Sequence, residues 1–162
     1  MRSELRRLEF VEFGGPPQRH YPSVRYFTPE EANLALEVVR PLTERLVEAR
    51  REFVGHRGRL DDVRRRVSGN GGGLDPGTVG RATEAAESSL AAVDGLLGEI
   101  TELGVQVKDL EEGLIDFPAL HPEDGALVLL CWRLGEPEVA WWHLPEGGFA
   151  GRKPLPFDRT DG

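Results

Sequence analysis

Two apolar stripes with alternating steps of three and four residues run one after the other through the middle of this chain. A sustained spacing of about 3.5 residues is typical of helices that wind about one another. Residues 68–73, rich in glycine, join the stripes, so we expect the helices to fold back as an antiparallel hairpin. The first stripe consists of Ala32, Ala35, Val39, Leu42, Leu46, Ala49, Phe53, His56, Leu60, Val63 and Val67. The second consists of Val79, Ala82, Ala86, Ser89, Val93, Leu96, Ile100 and Leu103.

Capping residues mark the ends of the two predicted helices. Thr28 and Glu31 form a Thr-x-x-Glu capping box at the start of the first helix. The second helix opens with Asp75 followed by Pro76, and Gly104 is the expected left-handed stop. Because the second helix is the shorter one, the first turns of the first helix need cover from another part of the chain.

Alternating residues after Gly104 predict strands, at 105–110, 114–117, 127–134 and 138–144. Short turns between them favour an antiparallel meander lying across the open end of the hairpin. The predicted fold class is therefore α+β, a long antiparallel coiled-coil-like helical hairpin capped by a small antiparallel β-meander. The hairpin (25–104) and the sheet (105–151) form one domain, between an N-terminal extension (1–24) and a C-terminal tail (152–162).

The composition excludes some classes of function. A net charge of −8 and a pI near 5.1 argue against general affinity for nucleic acid or an anionic membrane. No apolar run approaches the roughly 20 residues that span a bilayer. A lone cysteine, Cys131, cannot form an internal disulfide, so we expect a reducing, cytoplasmic location.

Four segments carry a family resemblance, and in chain order they read RYFTPEEAN, GLIDFPAL, LCWRLGEPEVAWWH and GFAGRKPL. Together they resemble an uncharacterised prokaryotic family numbered 2203 among the domains of unknown function. The resemblance covers residues 25–155, and it implies no established activity. Three of the four shared segments lie in the C-terminal third of the chain, and they contain the polar and aromatic residues considered next as candidates for a functional site.

The candidate chemistry lies on the predicted sheet. A three-residue turn at 135–137 would place Cys131 opposite Trp141, and Leu129 opposite His143. One hypothesis is a metal site formed by His143 with Asp116 and either Cys131 or Glu138. Such a ligand set suits a divalent transition metal, and an open position on the metal would permit hydrolytic chemistry.

Each of these residues also has a structural interpretation. Asp116 would lie opposite Lys108 and form a cross-strand ion pair if the turn between their strands had three residues. Cys131 would be a small buried apolar residue, and His143 a packing residue beside two tryptophans. Separately, Gly151 and Arg152 in a glycine-rich segment predict either an anion-binding backbone nest or a simple turn.

Two classes of function follow from these patterns. The first is a cytosolic binding or assembly module, because the hairpin pattern is strong and the chemical motifs are weak. The alternative is a small metal-binding protein or metal-dependent enzyme with its site on the sheet. We expect a homodimer that forms through the hairpin. The arginine-rich tip of the hairpin would also suit a protein partner, and binding of nucleic acid is not favoured. Apolar residues off the stripes need cover either from the sheet or from a second copy of the chain, namely Leu34, Val38, Val47, Leu90 and Leu97.

Overall fold

A computed structural model describes residues 24–70 and 73–157, which fold into two long helices and a five-stranded antiparallel sheet. The helices are α1 (Pro29–Asn70) and α2 (Gly77–Glu102). The strands are β1 (Gln106–Asp109), β2 (Leu114–Leu120), β3 (Leu127–Arg133), β4 (Trp141–His143) and β5 (Lys153–Pro154), with a 3₁₀ turn at Phe149–Gly151. This arrangement confirms the predicted α+β class.

The two helices pack as a hairpin along the predicted stripes. Val39 and Leu46 of α1 are buried in the same core cluster as Val93 and Ile100 of α2. Apolar contact along this seam holds two helices of about 63 and 39 Å together. In the described part of the chain, neither helix has an apolar stretch long enough to cross a bilayer.

The helix ends follow the capping residues closely. Thr28 Oγ1 accepts a hydrogen bond from the Glu31 N–H at 3.1 Å, and Glu31 Oε2 accepts one from the Thr28 N–H at 3.0 Å, which confirms the capping box. Helix α2 starts one residue later than predicted, with Pro76 as the cap. Gly104 has a φ of 87°, and its N–H donates to the Thr101 carbonyl, so it ends α2 as expected.

The sheet is a simple meander in the order β1-β2-β3-β4-β5. Strand β5 was not predicted, because residues from Arg152 onward were expected to form a tail. Lys153 and Pro154 instead pair with Trp142 and Trp141 of β4. Two residues are too few to show an alternating pattern. Residues 1–23 and 158–162, which hold nearly all of the predicted extension and the end of the tail, lie outside the described residues.

The inner face of the sheet covers the start of α1, as the mismatch in helix length requires. Phe117, Leu130 and Trp132 are fully buried there in the common core. Asn33 of α1 accepts a hydrogen bond from the Val139 N–H at 2.8 Å. Arg40 donates to the carbonyls that precede Val139, at Glu136 and Pro137, and lies over the Trp132 ring. The outer face of the sheet is therefore the one that points away from the helices.

Candidate metal centre

Three buried polar side chains meet on the outer face of the sheet, one from each of three neighbouring strands. They are Asp116 of β2, Cys131 of β3 and His143 of β4, and their ligand atoms all lie within 4.8 Å of one another. Asp116 lies directly opposite Cys131, and residues opposite each other in antiparallel strands project from the same face. The predicted pairs Cys131–Trp141 and Leu129–His143 are confirmed, and this register brings the imidazole to the carboxylate.

The closest contact in the cluster joins the histidine to the aspartate. His143 Nε2 lies 3.2 Å from Asp116 Oδ2, and the two side chains are 3% and 2% exposed. The other ring nitrogen, Nδ1, lies 2.7 Å from the Leu144 carbonyl oxygen. A carbonyl oxygen only accepts, so Nδ1 carries a hydrogen and Nε2 is the nitrogen free to bind a cation.

The Asp116 carboxylate is only partly satisfied. Its second oxygen, Oδ1, is buried and has no hydrogen-bond partner among the described residues. A buried carboxylate oxygen without a partner carries a desolvation cost that nothing offsets. The aspartate therefore has acceptor capacity left for a cation.

Cys131 lies opposite Asp116 and is fully buried. Burial and, after it, the negative charge of Asp116 raise the pKa of the Cys131 thiol to about 12, while Arg152 opposes this rise. The thiol is thus the opposite of an activated nucleophile, whose pKa is lowered.

A cavity of about 160 Å³ opens beside the cluster. Asp116 and His143 line it together with Lys108, and the rest of its wall is apolar or glycine. The remaining lining residues are Leu114, Leu129, Pro145, Gly148 and Phe149. The segment that follows β4 therefore contributes one side of a small chamber over the outer face of the sheet.

The predicted ion pair between Lys108 and Asp116 is wrong. Gln106, not Lys108, lies opposite Asp116, and the register shifts between Val107 and Asp109, which leaves Lys108 as the extra residue of a β-bulge. The cause is the following turn, in which Asp109 Oδ1 accepts hydrogen bonds from the N–H groups of Glu111 and Glu112. This side-chain cap lengthens the turn by one residue.

Glu138 does not join the cluster. It is exposed and precedes β4, and it lines a separate depression of about 670 Å³ near Tyr26 and Phe157. Of the two alternatives for the third ligand, the structure brings Cys131 to the site and leaves Glu138 outside. The reason is that β4 begins only at Trp141, so strand alternation does not extend back to Glu138.

In the predicted anion-binding pair, Gly151 and Arg152, the arginine binds a carboxylate of the chain itself. Arg152 Nη2 lies 2.7 Å from Glu136 Oε2, and its guanidinium group lies over the Trp141 and Phe149 rings. Gly151 ends the 3₁₀ turn that leads into this contact. Burial opposes ionisation of Glu136, but the hydrogen bonds from Arg152 and from the Arg133 N–H, together with the charges of both arginines, outweigh burial and lower the pKa of that carboxyl group. Sequence reasoning missed this pair, since two residues on separate loops share no periodic signal.

Comparison with known proteins identifies a family for this chain, but no individual related protein. No curated protein and no solved structure matches the chain. A family model described as an uncharacterized conserved protein, DUF2203, matches residues 25–155, a range that includes all three residues of the cluster. The chain therefore belongs to the DUF2203 family.

Proposed function

We propose that this chain is a metal-binding protein whose centre consists of Asp116, Cys131 and His143. One observation carries the proposal: an imidazole nitrogen and a carboxylate oxygen face each other at 3.2 Å in a site shielded from water. The hydrogen bond from Nδ1 to Leu144 directs Nε2 at the carboxylate. Such a pair needs a proton or a metal ion between its two atoms, and the unpartnered Asp116 Oδ1 gives the carboxylate capacity for further ligation.

The dimensions of the cluster support a small transition metal. Zinc bonds of about 2.0–2.2 Å at a tetrahedral angle separate a nitrogen ligand from an oxygen ligand by about 3.4 Å. The observed separation of 3.2 Å between His143 Nε2 and Asp116 Oδ2 is close to this value. The sulfur atom of the third ligand, Cys131, lies within 4.8 Å of both atoms.

The donor atoms also favour one class of metal. One nitrogen, one oxygen and one sulfur donor suit zinc or ferrous iron, whereas magnesium and calcium prefer oxygen alone. Three protein ligands leave a further position on the metal, which would face the cavity, and an open position is the mark of a metal that binds an exchangeable ligand. Because a thiolate ligand must stay reduced, we place the protein in the cytoplasm.

The test is the metal content of untagged protein purified without chelator, measured by mass spectrometry beside a zinc titration. We expect close to one metal per chain in the wild type and loss of metal in Asp116→Asn and His143→Ala, with Cys131→Ser binding more weakly. Asp124→Ala is the matched control, because Asp124 pairs with His121 at 3.6 Å on the surface, away from the cluster. A folded wild-type protein that neither carries nor takes up metal would overturn the proposal.

A second copy of the chain is the other interaction that an observation favours. Leu34 and Val38 lie one turn apart on α1 and are 69% and 52% exposed. They line a shallow depression of about 310 Å³ together with Leu103. Adjacent exposed apolar side chains of this kind are characteristic of an interface, so we propose a homodimer that covers this part of the hairpin. Of the other residues outside the stripes, Val47 is buried beside Gly113 in the turn before β2, Leu97 packs against the core, and Leu90 stays exposed.

A further inference from the structure

We infer that the ligand at the open metal position is a small monocarboxylate, and that Lys108 supplies the positive charge that selects it. This inference rests on the metal centre proposed above. It assigns to Lys108 a role in binding, whereas the sequence pattern assigned the residue to an ion pair with Asp116.

Strand alternation places Lys108 at the cavity. Gln106 lies opposite Asp116 on the outer face, Lys108 follows two residues later on the same face, and Lys108 lines the same chamber as Asp116 and His143. Among the described residues, no carboxylate forms an ion pair with its ammonium group. The acidic side chains of the adjacent turn have other partners: Glu111 pairs with Arg50, Glu112 with Arg133, and Asp109 accepts backbone N–H groups. The Lys108 charge is therefore available to a bound molecule.

The charge balance of the site selects a monoanion. A divalent metal would displace the proton of the Cys131 thiol, despite its raised pKa, so the Asp116 carboxylate and the Cys131 thiolate would together neutralise the two charges of the metal. Lys108 then leaves the site with a single positive charge. A carboxylate matches this charge and offers two oxygens, one for the metal and one for the ammonium group. A phosphate dianion would leave one negative charge unpaired.

The cavity limits the size and the polarity of the ligand. Its volume of about 160 Å³ corresponds to roughly five water molecules at ~30 Å³ each. Leu114, Leu129 and Phe149 present apolar surface in it. A carboxylate with a short alkyl or similarly apolar body fits these walls, since burial of each methylene group contributes about 0.8 kcal/mol.

The experiment uses the full chain loaded with Co²⁺, whose visible absorption reports ligands that bind to the metal. Propionate and butyrate are titrated into the wild type, Lys108→Met and Lys108→Arg, with inorganic phosphate for comparison. We expect both carboxylates to shift the absorption bands of the wild type. Their affinity should fall about tenfold or more in Lys108→Met and recover in part in Lys108→Arg. Lys153→Met is the matched control, because Lys153 lies over the Trp142 ring on another strand.

The outcomes separate this inference from the metal centre itself. Failure of the wild type to bind Co²⁺ would remove the proposed function. Stoichiometric Co²⁺ without a spectral response to carboxylates, or equal affinities in the wild type and Lys108→Met, would overturn the inference and leave the metal centre standing. Tighter binding of phosphate than of propionate would overturn the monocarboxylate class. Lys108→Gln, read in the same titration, replaces Lys108→Met if that variant unfolds.

Discussion

Glu136 shows how one side chain fixes the segment that lies against the candidate centre. Its Oε2 accepts hydrogen bonds from the Arg133 N–H at 2.8 Å and from Arg152 at 2.7 Å. Arg152 also lies within 3.4 Å of the Cys131 carbonyl oxygen. The ionised carboxylate thus ties the residues after the 3₁₀ turn to the end of β3.

The lowered pKa of Glu136 predicts a pH-dependent contribution to stability. A carboxyl group whose pKa is lower in the folded state stabilises the fold above its unfolded pKa and loses this effect as pH falls through the folded value. We expect Glu136→Gln to reduce the free energy of unfolding by about 1–2 kcal/mol at pH 7 and by less at pH ~3, below the ordinary pKa of glutamate. Urea unfolding at both pH values measures this, with exposed Glu146→Gln as the control. An equal loss at both pH values would contradict it.

The sequence predicted the positions of residues correctly where side chains alternate between the two faces of a strand. The register of β3 with β4 follows from a short turn and strict two-residue periodicity, so the approach of His143 to Cys131 was predictable. Lys108 was misplaced because an Asp109 side chain, not a periodic pattern, sets the turn length before β2. The pairing of Glu136 with Arg152 depends on tertiary contact between two loops, for which a single sequence gives no signal.

At the scale of elements, Asn33 joins the first helix to the sheet. Its Oδ1 accepts from the Val139 N–H at 2.8 Å, and its Nδ2 donates to the Pro29 carbonyl at 3.0 Å. The helical hairpin was predicted because its pattern persists over many turns. The contact of Asn33 with Val139 depends on a single amide side chain and belongs to no periodic pattern of helix or strand. It holds α1 against the segment that enters β4.

Removing this amide should weaken the junction between helix and sheet. We expect Asn33→Ala to lower the free energy of unfolding by about 1–3 kcal/mol, because the Val139 N–H loses its acceptor in a half-buried position. Glu37→Ala, an exposed change one turn further along α1, should stay within about 0.5 kcal/mol of the wild type. Chemical unfolding followed by circular dichroism measures both. Equal stability of the two variants would contradict the role assigned to Asn33.

At the scale of the whole molecule, the exposed apolar residues of α1 predict self-association. We expect the wild type to have the mass of a dimer at micromolar concentration, and Leu34→Glu with Val38→Glu to be monomeric, because two charges would have to be buried in the interface. Light scattering coupled to size-exclusion chromatography measures the mass. Leu127→Glu on the outer face of the sheet is the control and should remain dimeric. A monomeric wild type would refute the dimer.

The seven-residue spacing of the hairpin has a consequence for how this chain can vary in length. Removing or adding seven residues in each helix moves the tip by about 10.5 Å but returns every remaining apolar residue to the same side of its helix. All three residues of the candidate centre lie on β2, β3 and β4, at the other end of the hairpin from the tip. The arms can therefore be lengthened or shortened in evolution, or by an engineer, as a spacer whose size is independent of the chemistry at its base.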